Sequence, residues 1–162
     1  MNPWIMGAVL TLGAASMPFD AALAAQEPQH PATASGDTAG PPLYDNLGSL
    51  HFQITTQSPV AQQYFDQGFR LVYAFNHDEA IKSFHEGIKH DSTCAMCYWG
   101  IALALGPNIN LPMDTANARP AWEASQTALK YSGGTSPREL AFIQALTKRY
   151  SSDPKANRAR LD

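Results

Sequence analysis

One pair of residues has both the types and the spacing for chemistry: Cys94 and Cys97, in the run Cys94-Ala95-Met96-Cys97. On a helix, an i, i+3 spacing puts both sulfurs on one face. At a helix start the unpaired backbone N–H groups favour thiolate, which makes Cys94 the more acidic of the two. A c-type haem attachment needs His directly after the second Cys, and Tyr98 stands there. A thioredoxin-type centre needs a strand before its helix, whereas a helical hairpin precedes this one. A metal site needs about two further ligands. His90 and His51 fall at the same end of the hairpin as Cys94, while His77 lies at the other end, roughly 20 Å away at the helical rise per residue. Cys94, Cys97, His90 and His51 together would suit zinc or copper. The simpler reading is a local disulfide, or two small apolar packing residues, in an oxidising compartment. We adopt it, expect no tightly bound metal and no cofactor, and keep a periplasmic metal-binding or thiol-redox protein using Cys94 and Cys97 as the alternative.

No other catalytic constellation stands out. The sequence has no Gly-rich phosphate loop, no nucleophile elbow and no paired His on a helix, so a binding protein is expected rather than an enzyme. Charge excludes another class. The net charge is −3, no Lys or Arg precedes Arg70, and the basic end (Lys148, Arg149, Lys155, Arg158, Arg160) reads as solvated surface. That is no phosphate-binding stripe, and nucleic acid is not an expected partner.

Helices must position these residues, and their punctuation is legible. Ser58-Pro59 offers an N-cap followed by Pro at the first helical position. Val60, Tyr64, Phe65, Phe69 and Val72 then recur at helical spacing. Asn76-His77-Asp78-Glu79 has the form of a capping box and opens a helix with Ala80, Ile81, Phe84 and Ile88 on one face. Gly106-Pro107 must end the helix that carries the cysteines, because Pro cannot donate an interior hydrogen bond. Ala121, Trp122, Ala124, Ala128 and Leu129 make its partner helix. Ser136-Pro137-Arg138-Glu139 is the clearest helix start, leading into Leu140, Ile143, Leu146 and Tyr150. The spacing predicts helices over 58–75, 77–90, 92–105, 117–131 and 137–150.

Shifted by 34 residues, the chain matches itself. Ser58 meets Ser92, Ala61 meets Ala95, Tyr64 meets Tyr98 and Leu71 meets Leu105, while Gly68 and Phe65 meet another small residue (Ala102) and another aromatic (Trp99). A self-match at this period marks stacked helical hairpins. Here the chain resembles the tetratricopeptide repeat family, whose pattern of aromatic, small residue, Ala, aromatic and small residue is met by Tyr64, Gly68, Ala80, Phe84 and Gly87. Gln67, Leu71 and Ser92 depart from the family's usual Leu, Tyr and Pro. The stretch from Asp45 to Tyr150 is also similar to the N-terminal part of longer exported bacterial repeat proteins of unassigned function.

The resemblance implies an all-α fold of stacked antiparallel hairpins, a solenoid of about two and a half repeats over 58–150. It also implies a concave groove on the first helix of each hairpin, lined by Gln62, Phe65, Phe69, Val72, Met96, Trp99 and Leu103. That groove would hold a protein or peptide partner, and its apolar character suits an apolar one; equally, these residues are core. Asp153-Pro154 looks like a further helix start, so 151–162 reads as the beginning of a truncated element and the chain as part of a longer repeat protein.

Ahead of the repeat, Ile5 to Met17 is an apolar run of signal-sequence length, too short to span a bilayer, and Ala22-Leu23-Ala24 offers a cleavage site. The expectation is a signal peptide over 1–24 and a periplasmic or secreted product with no stable membrane span. Residues 25–57 form a linker and lead-in. Pro28, Pro31, Gly36, Gly40, Pro41 and Pro42 mark its flexible part. Leu50-His51-Phe52-Gln53-Ile54 alternates apolar and polar side chains, which suggests an extended segment packed on its neighbour.

Overall fold

A computed structural model describes residues 40–153 and 156–161. The expected signal peptide and the expected linker up to residue 39 lie outside the described residues, as does Pro154 of the last expected helix start. Among the described residues there are five α-helices and no strand, so the fold is all-α. The helices are α1 (Pro59–Tyr73), α2 (His77–His90), α3 (Ala95–Leu105), α4 (Thr115–Lys130) and α5 (Pro137–Thr147), with short 3₁₀ turns at Ser132–Gly134 and Arg158–Arg160. None of the described helices is long and apolar enough to cross a membrane.

Local chemistry explains where each helix starts. The Ala61 N–H donates to Ser58 Oγ at 3.2 Å, with Pro59 at the first position of α1. At α5 the box closes in both directions: Glu139 N–H donates to Ser136 Oγ at 3.3 Å, and Ser136 N–H donates to Glu139 Oε2 at 2.9 Å. At α2 the expected box does not form, because the Asn76 side chain makes no capping bond. The end of α1 directs the chain instead. Phe75 N–H donates to Val72 O at 3.1 Å and Asn76 N–H to Leu71 O at 3.0 Å, with Phe75 left-handed at φ 58°. These are the paired bonds of a Schellman turn, with Phe where Gly is usual.

Helix α3 begins at Ala95, three residues after the expected start at 92. Asp91 Oδ1 accepts from Thr93 N and Thr93 Oγ1 at 3.0 and 2.8 Å, which holds Ser92 and Thr93 in a turn and passes the cap to Cys94. Helix α4 starts at Thr115, ahead of the expected 117, because Asp114 Oδ1 accepts from Ala116 N–H at 2.9 Å. Helix α5 stops at Thr147; beyond it Tyr150 turns back to donate its hydroxyl to Ala102 O.

The packing follows the hairpins: α1 against α2, α3 against α4, α2 against α3, and α5 against both α4 and α3. Eight of the eleven residues of α3 are buried, as expected of a helix apolar on every side that touches all four others. Phe84 of α2, with no exposed surface, fills the junction of α1, α2 and α3. A β-carbon at Gly68 would lie 2.6 Å from its ring and one at Gly100 would lie 2.5 Å away, so glycine on both flanks admits the ring.

Candidate functional site

The face proposed as a groove is formed by one side of α1 and α3. Its centre is covered by the chain itself. Phe65, Phe69, Met96 and Trp99 are buried, and Gln62, Val72 and Leu103 are half-buried. The lead-in runs twice along α1, and its second pass covers this face. On the first pass Tyr64 Oη donates to Pro41 O at 3.1 Å and Gln67 Nε2 donates to Pro42 O at 2.9 Å. Tyr44 N–H returns a bond to Gln67 Oε1 at 2.7 Å. Gly48, left-handed at φ 77°, lies in the reversal between the passes.

The second pass, Leu50 to Thr55, runs antiparallel to α1 and is fastened rung by rung. Arg70 Nε donates to Leu50 O at 2.7 Å. Asp66 Oδ1 accepts from Phe52 N–H at 3.0 Å, and Asp66 Oδ2 lies 2.7 Å from His51 Nδ1. Gln62 Nε2 donates to Phe52 O at 3.0 Å while its Oε1 accepts from Ile54 N–H at 2.9 Å. Thr55 N–H and Oγ1 then both donate to the Glu139 carboxylate at 2.6 Å, across 84 residues of sequence. Thr56 Oγ1 donates to Asp91 Oδ2 at 2.6 Å, tying the strap to the end of α2 as well.

Alternation decides which side chains turn inward. His51, Gln53 and Thr55 are exposed, Phe52 is half-buried and Ile54 is 3% exposed. The Phe52 ring sits among Phe65, Phe69 and Phe142 with centroids 6.1, 5.7 and 5.8 Å away, edge-on to the last two. The Arg138 guanidinium lies 4.2 Å from its centroid. Trp99 extends the cluster, 6.1 Å from Phe69 and 5.8 Å from Phe142, and donates its indole N–H to Phe142 O at 3.2 Å.

Two titrating groups, Glu139 of α5 beneath the strap and His51 on it, are perturbed. Burial alone pushes the Glu139 carboxyl up, but the hydrogen bonds from Thr55 and Ser136 outweigh it and hold the group below its usual range. The hydrogen bond to Asp66, and then the Asp66 charge, raise the His51 imidazole above its ordinary value.

The cysteines form a disulfide with each other, Cα atoms 5.3 Å apart, and both residues are fully buried. Cys94 caps α3, its Sγ accepting from Cys97 N–H at 3.2 Å. The backbone of α2 lies against the bridge, since a β-carbon at Gly87 would stand 3.1 Å from Cys97 Sγ. Neither histidine joins the sulfurs. His90 stacks on Tyr64 at 5.8 Å and sits 3.7 Å from Glu86, and His51 is held by Asp66. Among the described residues no group of three or more His, Cys, Asp or Glu is placed to hold a metal ion. Disulfide exchange needs a thiolate to reach sulfur, and burial blocks that approach in the folded chain.

Sequence reading missed the partners of the lead-in: Asp66, Gln67, Arg70 and the second role of Glu139. A signal was present. Gln62, Asp66 and Arg70 recur every four residues, a polar stripe directly beside the apolar pair Phe65 and Phe69. Comparison with protein-family models, with curated proteins and with solved structures returned no match.

Proposed function

We propose that this chain is an exported, periplasmic or secreted, scaffold of the tetratricopeptide kind, binding a protein or peptide on the face built from α1, α3 and α5. The observation that carries the reading is the strap itself. That face holds an extended segment, with side chains from two helices aimed at its main chain and an aromatic cluster for its alternate side chains. A surface that fits an extended chain so closely is recognition chemistry, and its apolar centre suits an apolar partner. The redox reading loses ground, because a fully buried disulfide suits a crosslink better than a turning-over thiol pair.

A photo-crosslinking residue placed at Phe142, which is 41% exposed beside the strap, tests the scaffold reading. Exported protein should give discrete adducts there and none from a control site at Glu123 on the exposed side of α4. Equal labelling at both sites, or none at either, would count against binding through this face. Intact-mass analysis of periplasmic protein should show a chain beginning near Ala25; retention of Met1 to Ala24 in the cytoplasm would refute export.

A further inference from the structure

We infer that residues 50–56 act as a resident competitor on the binding face, and that the occupant they keep out is an extended peptide carrying an aromatic residue and, two positions on, an aliphatic one. This rests on the scaffold reading and narrows it to one class of partner.

Three observations point this way. First, five of the nine hydrogen bonds that fasten residues 50–56 to the helices go to main-chain atoms, the other four reaching the side chains of His51, Gln53, Thr55 and Thr56. Leu50 O, Phe52 N and O, Ile54 N and Thr55 N are all taken by side chains of α1 or α5. Any extended backbone presents the same groups, so these bonds select a conformation and leave sequence open. Second, sequence is read mostly at two points, the aromatic cluster around Phe52 and the buried seat of Ile54; this defines the aromatic-x-aliphatic pattern. Third, the strap is an outer layer. Leu50 is 47% exposed, His51, Gln53 and Thr55 are exposed, and Phe142 leaves one wall of the aromatic seat open to solvent. The Arg138 guanidinium lies over the Phe52 ring, but that side chain is itself exposed and can swing aside, so the strap can leave without opening the helices beneath.

A tethered competitor acts at a high effective concentration, of order millimolar for a short connection. A peptide in trans therefore sees only the fraction of molecules whose strap is away, and its apparent affinity falls by that fraction. Weakening the strap should strengthen peptide binding, the opposite of what damage to a binding site does.

The test uses the full chain and a fluorescent peptide with the sequence of residues 48–57. The Phe52→Ala protein should bind the peptide at least tenfold more tightly than the unsubstituted protein. Replacing the peptide's own Phe and Ile by Ala should abolish binding. Failure of folded Phe52→Ala protein to bind, judged by circular dichroism and a cooperative melt, overturns the inference. Hydrogen exchange on the unsubstituted protein decides the case even where that variant does not fold. The amides of Phe52, Ile54 and Thr55 should exchange at least tenfold faster than those in the middle of α3; equal rates mean the strap leaves only on global unfolding, and the inference falls. Crosslinked partners at Phe142 together with such a fixed strap would leave the scaffold reading standing and remove only the competitor.

Discussion

The contact of Phe84 with Gly68 and Gly100 gives the sharpest test of the packing. Gly to Ala within a helix ordinarily gains up to about 1 kcal/mol, because Gly carries the larger backbone entropy loss. Here the new methyl carbon would meet the Phe84 ring at 2.6 Å from Gly68 or 2.5 Å from Gly100. Carbon atoms at rest lie about 3.5–4.0 Å apart, so ring and helix must separate by about 1 Å. Phe84 has no exposed surface and is backed by Phe65 at 5.8 Å, which leaves little room to yield. Overpacking of this kind costs about 1–3 kcal/mol. Set against the propensity gain, Gly68→Ala and Gly100→Ala should each lose about 1–2 kcal/mol, and Gly68→Leu a few kcal/mol. Urea denaturation should show lower midpoints with unchanged slopes. The cause is checked by a double-mutant cycle with Phe84→Leu, in which either Ala should cost much less than it does alone. An Ala variant at or above the stability of the parent would refute the packing argument. So would an undiminished penalty in the Phe84→Leu background.

Four further outcomes are expected. Cys97→Ser should stay folded and lose about 1–2 kcal/mol, since so short a loop adds little chain entropy and the cost is that of burying a hydroxyl. The disulfide of the parent should resist dithiothreitol without denaturant in a free-thiol titration, and rapid native-state reduction would contradict its burial. Glu139→Gln should cost about 2 kcal/mol near neutral pH by weakening the bonds from Thr55 and Ser136. Because the folded carboxyl is held below the usual carboxylate range, this contribution is present above that range and fades as pH falls through the folded value. Stability curves of parent and variant should therefore converge in acid, and a constant gap would place the carboxyl elsewhere. Phe75→Gly should gain up to about 1 kcal/mol in thermal or urea melts, as it relieves a left-handed aromatic that is 54% exposed. A loss would mean the ring's contact with His77 outweighs the backbone.

The helices were legible because their signals are local. The Ser58-Pro59 and Ser136-Glu139 starts stand where the sequence put them, and α2 spans the expected 77–90. Where the reading slipped, a neighbouring side chain had taken over the terminus. Asp91 delays α3 and Asp114 advances α4, each with a short carboxylate bond that competes with the helix ladder. The alternation of residues 50–54 showed which side chains pack but not onto what. Thr55 and Glu139 stand 84 residues apart, and no periodicity links them. Likewise, apolar residues on a shared helix face read the same whether that face is open or covered.

The polar residues of α1 carry information that its apolar ones do not. Gln67 lies inside the fold, and a buried amide is costly unless it is fully bonded. It is 2% exposed, with Oε1 accepting from Tyr44 N–H and Nε2 reaching Pro42 O and Ser83 Oγ. Asp66, also buried, is satisfied by Phe52 N–H and His51. Both polar groups are thus matched to the lead-in, one on each of its passes. With the strap released, Asp66 and Gln62 regain water while Phe65 and Phe69 lose their cover, so the open face would present a polar stripe beside an aromatic one. That is the combination an extended chain needs, with donors and acceptors for its backbone and a seat for every second side chain. A helix built only to pack against its neighbours has no use for the first half of it.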